Sequence, residues 1–131
     1  METKSGGCLC GTVRFRYEGS ENWQAYCHCE TCRRNTSSPV TAFVGVPVEA
    51  YEFTGKKPAI YRSSPGVRRL FCATCGSPIA FETDKLPHEI HFHAAAFDHP
   101  QEFVPERHFF FEEHLPWISI DDDLPRHMKG G

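Results

Sequence analysis

The chain has 131 residues, seven cysteines and a formal net charge of −3 at pH 7. That length supports one ordinary core, and 40% hydrophobic with 13% aromatic residues is enough to fill it, which excludes disorder. No apolar run reaches the roughly 20 residues of a membrane helix, and METKSGG lacks a signal-peptide core, so a soluble cytoplasmic protein is expected.

Strand-like runs bounded by turn residues follow one another along the chain, and ten Gly and ten Pro favour short elements. Thr12–Tyr17 alternates Val13, Phe15 and Tyr17 with Thr12, Arg14 and Arg16. Thr41–Val46 is a buried-type run ended by Pro47, and Tyr51–Phe53 and Ile60–Arg62 flank a turn at Gly55–Pro58. Val67–Phe71, Ile79–Glu82, Glu89–Ala94 and Arg107–Glu112 complete the predicted strands; Glu30–Asn35 alone reads as a short helix. Phe109, Phe110 and Phe111 are expected to fill strand core on both faces. Residues 115–131 read as an irregular C-terminal wrap, with Trp117 expected to pin it to the core. The result is a mainly β chain forming a single domain over residues 1–131.

Charge divides along the sequence. Residues 1–72 hold ten Lys/Arg against six Asp/Glu, a net of +4, and residues 73–131 hold four against eleven, a net of −7. The basic part contains six of the seven cysteines, so its cations either offset thiolate charge or receive an anionic ligand. The acidic half argues against nucleic acid.

Seven cysteines in a reducing compartment are no disulfide framework, and an odd number cannot all pair internally. Cys72-Ala73-Thr74-Cys75-Gly76 has the form of a zinc knuckle, a turn that aims two sulfurs at one metal. Cys8-Leu9-Cys10, read as extended chain, presents two more sulfurs on one face and completes a four-thiolate site with Cys72 and Cys75. Cys27, Cys29 and Cys32 remain, with Cys32 one turn into the short helix. Three ligands and an open position is the arrangement of catalytic zinc, and soft sulfur selects zinc over Mg or Ca. His28 rivals for the fourth place but points to the other face between two extended ligands. The alternative is one metal site that recruits Cys29 and Cys32 and leaves spare thiols.

Three ordered motifs carry a family resemblance. They are Gly6-Gly7-Cys8-x-Cys10-Gly11-x-Val13-Arg14-Phe15, Cys27-His28-Cys29-x-x-Cys32-Arg33-Arg34 and Phe71-Cys72-x-x-Cys75-Gly76. With Leu115-Pro116-Trp117 and Leu124-Pro125, they resemble the glutathione-dependent formaldehyde-activating enzymes and the related centromere-protein-V proteins. The resemblance implies a β-tent of small antiparallel sheets stapled by a structural zinc on Cys8, Cys10, Cys72 and Cys75. It implies a catalytic zinc on Cys27, Cys29 and Cys32, hence two Zn2+ per chain. The implied activity is a carbon–sulfur lyase reaction joining glutathione, or a related thiol, and formaldehyde, or another small aldehyde, as S-(hydroxymethyl)glutathione. Bound zinc would deprotonate the thiol or polarise the carbonyl oxygen. Glutathione is a net anion, which makes Arg33, Arg34 and the loop hydroxyls of Thr36, Ser37 and Ser38 the candidates for binding it. The loop departs from the family, where a glycine commonly follows the arginines. Two other functions stay open: a non-catalytic thiol carrier or zinc-stapled adaptor, and methionine sulfoxide reduction. The first lacks a basic or low-complexity extension; the second requires a nucleophilic cysteine free of metal.

Overall fold

The computed structural model describes residues 2–130. Its strands are β1 (Thr3–Gly7), β2 (Arg14–Glu18), β3 (Trp23–Cys27), β4 (Thr41–Pro47), β5 (Tyr51–Phe53), β6 (Ala59–Ser64), β7 (Val67–Phe71), β8 (Pro78–Thr83), β9 (Glu89–His93) and β10 (His108–Phe109). The one α-helix among the described residues, α1 (Glu30–Thr36), follows β3. The chain is mainly β, as its alternation predicts.

Two sheets form. β1-β2-β5 is the smaller, and β10-β3-β4-β9-β8-β7-β6 is the larger. Pairing is antiparallel throughout except for β10, which runs parallel to β3. β5 and β6, on either side of the Gly55–Pro58 turn, lie in different sheets, so this turn passes the chain from one layer to the other.

The hydrophobic core fills the space between the sheets. Val13, Phe15 and Tyr17 from the small sheet meet Val44, Val46, Leu70, Ile90 and Phe92 from the large one. Phe15 stacks on Phe92 with centroids 4.1 Å apart. The registers Ala25–Phe43–His93 and Gly45–His91–Phe81–Arg69 place a different set on the opposite face of the large sheet. That face is aromatic, histidine-rich and carries Cys27. One face makes the core; the other carries polar groups with no place in a core.

Several elements depart from their sequence reading. β1 and β3 were not predicted, because neither TKSGG nor WQAYC carries a β-branched alternation. β2 starts at Arg14 rather than Thr12, since Gly11–Val13 finish a turn. The strand expected over Arg107–Glu112 stops at Phe109: Phe110 takes a left-handed conformation (φ 54°), and a 3-10 turn follows over Phe111–Glu113. Trp117 is 71% exposed and does not pin the tail. Backbone bonds do so instead, from His108 N–H to the Pro125 carbonyl, His127 N–H to the His108 carbonyl, and Phe110 N–H to the Lys129 carbonyl.

Folding brings the basic and acidic parts of the sequence together. Arg14 pairs with Asp98, and Arg68 pairs with Glu82 and Asp84. No helix among the described residues is long and apolar enough to cross a membrane.

Candidate metal centres

The seven cysteines gather into two clusters, Cys8-Cys10-Cys72-Cys75 and Cys27-Cys29-Cys32, with the sulfurs of each within 4.8 Å of one another. None is in a disulfide. A tetrahedral metal with bonds of about 2.3 Å to sulfur requires sulfur separations of about 3.8 Å. The quartet shows 3.6 Å for Cys8–Cys10 and 3.8 Å for Cys10–Cys72. The trio shows 3.5 Å for Cys27–Cys29 and 3.9 Å for Cys27–Cys32. Both clusters have the spacing and donor chemistry of a thiolate metal site and are compatible with zinc.

The quartet is built from two turns. Gly11 N–H closes the first on the Cys8 carbonyl at 3.2 Å, and Gly76 N–H closes the second on the Cys72 carbonyl at 2.8 Å. Gly11 and Gly76 have φ of 84° and 79°, a region open chiefly to glycine. Cys8 and Cys10 therefore converge through a turn, and not through the alternation of an extended strand. Neutral donors surround the sulfurs. Val13 N–H points at Cys8 (3.3 Å), Cys75 N–H at Cys72 (3.4 Å), and the Ser77 hydroxyl lies 3.1 Å from Cys75. Ser77 holds the Cys75 thiol at about 5, well below the ordinary range. Burial opposes ionisation of Cys8, yet the Val13 bond and the neighbouring sulfurs bring it to about 7. Cys8 and Cys75 are thus disposed to give up their protons to a metal.

The trio occupies the corner where β3 runs into α1. Cys27 ends the strand, Cys29 is the extended residue before the helix, and Cys32 comes up on the first turn. Cys27 and Cys32 are buried, with Phe43, Phe81, Phe110 and Trp23 packed about the cluster. Without a cation, three sulfurs this close cannot all ionise. Bonds from Cys27 and Cys32 hold Cys29 far down, while the same contacts push Cys27 up.

His28 points away from the sulfurs, as extended chain requires. Its Nε2 lies 2.8 Å from His108 Nδ1, and His108 Nε2 lies 3.0 Å from Asp122. If His108 donates to the Asp122 carboxylate, its Nδ1 accepts from His28, and His28 Nδ1 is left buried without a partner. Burial, then the nearby cations, pull the His28 imidazole down to about 4. This chain joins the back of the trio to the C-terminal wrap.

The predicted anion-binding residues lie around α1. Arg33 donates to the His28 and Glu113 carbonyls, both 3.2 Å away. Arg34 pairs with Glu30 at 2.8 Å, and its side chain is 79% exposed. Ser37 caps the helix in the left-handed conformation (φ 56°) and is exposed. The cation that touches a sulfur is one the sequence did not single out. Arg69 Nη1 lies 3.3 Å from Cys32 Sγ, Nη2 donates to Thr31 Oγ1 at 3.0 Å, and the guanidinium sits 4.8 Å over Phe81.

A cavity of about 610 Å³ lies between the clusters, lined by Cys8, Arg14, Thr36, Ser38, Thr41 and His93 among others. No cysteine of the trio lines it, but Thr36 and Thr41 donate to the Cys32 and Cys27 carbonyls at 2.9 and 3.1 Å. His93, which carries no signal of a role in the sequence, is held down to about 4 by burial, with Arg69 nearby, and so is neutral. A smaller cavity of about 240 Å³, bounded by Lys4, Tyr17 and Phe103, contains no cysteine.

Comparison with known proteins identifies relatives of the chain. The chain is 37% identical over 84 residues to an uncharacterized lyase of Schizosaccharomyces pombe; the match covers 62% of this chain and 58% of that protein's length. It is 30% identical to a Halomonas elongata protein whose name assigns it provisionally to the glutathione-dependent formaldehyde-activating enzymes, across 88% of this chain and 80% of the other. A crystal structure of a Rhodobacter sphaeroides protein shares the fold, with a TM-score of 0.60 at 18% identity over 93% of this chain and 98% of that one. The profile of the family described as glutathione-dependent formaldehyde-activating enzyme matches residues 3–113, and the chain belongs to that family.

Proposed function

We propose that the chain acts as one domain and is a zinc-dependent carbon–sulfur lyase. It joins glutathione, or a related thiol, with formaldehyde, or another small aldehyde, to give S-(hydroxymethyl)glutathione. Three clustered sulfurs with no fourth protein ligand among the described residues carry this reading. Cys8, Cys10, Cys72 and Cys75 hold a structural zinc, and Cys27, Cys29 and Cys32 hold a catalytic one. The zinc that Cys27, Cys29 and Cys32 would hold would supply Lewis acidity, either lowering the pKa of an incoming thiol or polarising a carbonyl oxygen. The thiol loses its proton, its sulfur forms one bond to the aldehyde carbon as the C=O π bond breaks onto oxygen, and that oxygen takes up the proton the thiol released.

The protein's own residues position and shield this exchange. Phe43, Phe81 and Phe110 limit water around the sulfurs. The 610 Å³ cavity is in the range of small-molecule sites and offers neutral hydrogen-bond partners in Ser38, Thr41 and His93 for the rest of the thiol substrate. Among the predicted anion contacts, exposed Arg34 can exchange Glu30 for a substrate carboxylate, with Ser37 beside it. Arg33 serves through its grip on the His28 and Glu113 carbonyls. A reducing compartment such as the cytoplasm keeps all seven thiols available.

NMR exchange spectroscopy of glutathione–formaldehyde mixtures tests the reading. Wild-type protein is expected to accelerate exchange between free and hydroxymethylated glutathione, and Cys32→Ala to abolish the acceleration. Glutathione binding with no acceleration by wild type would leave a thiol carrier instead.

A further inference from the structure

Arg69 is a charge without an ordinary partner. It projects from β7 on the cysteine-bearing face and is only 4% exposed. Among the described residues it forms no ion pair with a carboxylate. Its donors end on Cys32 Sγ, Thr31 Oγ1 and Ser63 Oγ. Two of those partners are neutral hydroxyls, and a buried guanidinium requires an opposite charge. The sulfur cluster is what can provide it.

We propose that Arg69 is the specificity-determining cation of the trio, balancing its charge so that the open position favours an anionic sulfur over a neutral ligand. The inference rests on the reading that the trio holds a divalent metal. A divalent ion on three thiolates has a formal charge of −1, which Arg69 cancels. An incoming thiolate then brings the buried assembly to −1; without Arg69 it would reach −2 in a low-dielectric pocket. The geometry keeps the compensation in place, because the planar fork is fixed by three acceptors and by the Phe81 face. The quartet has no such arrangement. Its sulfurs receive backbone N–H groups and the hydroxyls of Thr12 and Ser77, and among the described residues no guanidinium donates to them. With four thiolates present, it has no position for an incoming anion.

Cobalt-substituted protein separates these effects, since thiolate-to-cobalt absorption reports the number of sulfurs bound. Wild-type chain carrying two Co2+ is titrated with glutathione and, separately, with imidazole as a neutral ligand. Arg69→Gln is expected to weaken glutathione binding at least tenfold and leave imidazole binding within twofold. Arg69→Lys, which keeps the charge, is expected to retain the preference for thiol within about threefold. Equal weakening of both ligands in Arg69→Gln, or no change in either, would overturn the inference while the two-centre reading stands. If Arg69→Gln sheds the trio's metal, Arg69→Lys decides: loss of thiol preference there overturns the inference. One cobalt per wild-type chain would instead remove the two-centre reading, and this inference with it.

Discussion

The two cysteine clusters use the same donor atom in opposite ways. The quartet draws on residues 64 positions apart along the chain, Cys8 and Cys72, and ties the turn after β1 to the turn between β7 and β8. The trio comes from six consecutive residues and ties nothing distant together. The quartet is surrounded by neutral donors at the margin of the sheets. The trio lies against aromatic rings, with one buried arginine on its sulfur. A staple must close a long loop and needs every coordination position filled. A reaction centre can be local, and needs one position open and its charge controlled from outside. On the proposed reading, number, sequence separation and surroundings of the sulfurs divide stability from chemistry between the two clusters.

Removing a quartet ligand gives the largest expected effect. Cys72 is buried in the core, anchors the second turn and touches Cys10 and Thr12 beside the first, so Cys72→Ser is expected to lose the structural metal and with it the cooperative fold. Circular dichroism should show no cooperative thermal transition. A native-like transition in a variant that has lost one metal would show that the quartet is no staple.

Behind the trio, a smaller effect is expected from His108, which is fully buried between His28 and Asp122. His108→Gln leaves buried donors and acceptors poorly matched and should cost about 1–3 kcal/mol of stability in chemical denaturation. It should also speed chelator removal of the trio's metal and leave the quartet's unaffected. Equal loss from both centres would mean that the histidine chain supports the fold in general rather than the ligand corner.

Much of this contrast is legible in the sequence, and the rest fails for identifiable reasons. β5 and β7 match the predicted boundaries because their runs are short, begin and end on aromatic or β-branched residues, and lie next to turn residues. β1 is Thr-Lys-Ser-Gly-Gly, whose strand state comes from its partner β2: at Gly6 an added Cβ would collide with Phe15 and the Ala96 carbonyl. Spacing allows the division of cysteines into four and three beside a single-site alternative, and the structure shows the two clusters; the turn that converges Cys8 and Cys10 depends on Gly11, where spacing suggests extended chain. Ser37 stands in the loop that lacks the family's glycine, and takes the left-handed conformation glycine would adopt most easily. Arg69 was out of reach. In the strand Val-Arg-Arg-Leu-Phe the adjacent arginines must face opposite sides of the sheet, and only the register β6-β7-β8 shows that Arg69 is the one turned toward Cys32 while Arg68 pairs with Glu82.

Metal content is the most direct test of the division of labour between the clusters. Wild-type protein prepared under reducing conditions and analysed by inductively coupled plasma mass spectrometry should contain two zinc ions per chain. Cys29→Ala should contain one and keep a native circular dichroism spectrum. A single zinc in both proteins would contradict the account, because it would make the trio a set of spare thiols rather than a second centre.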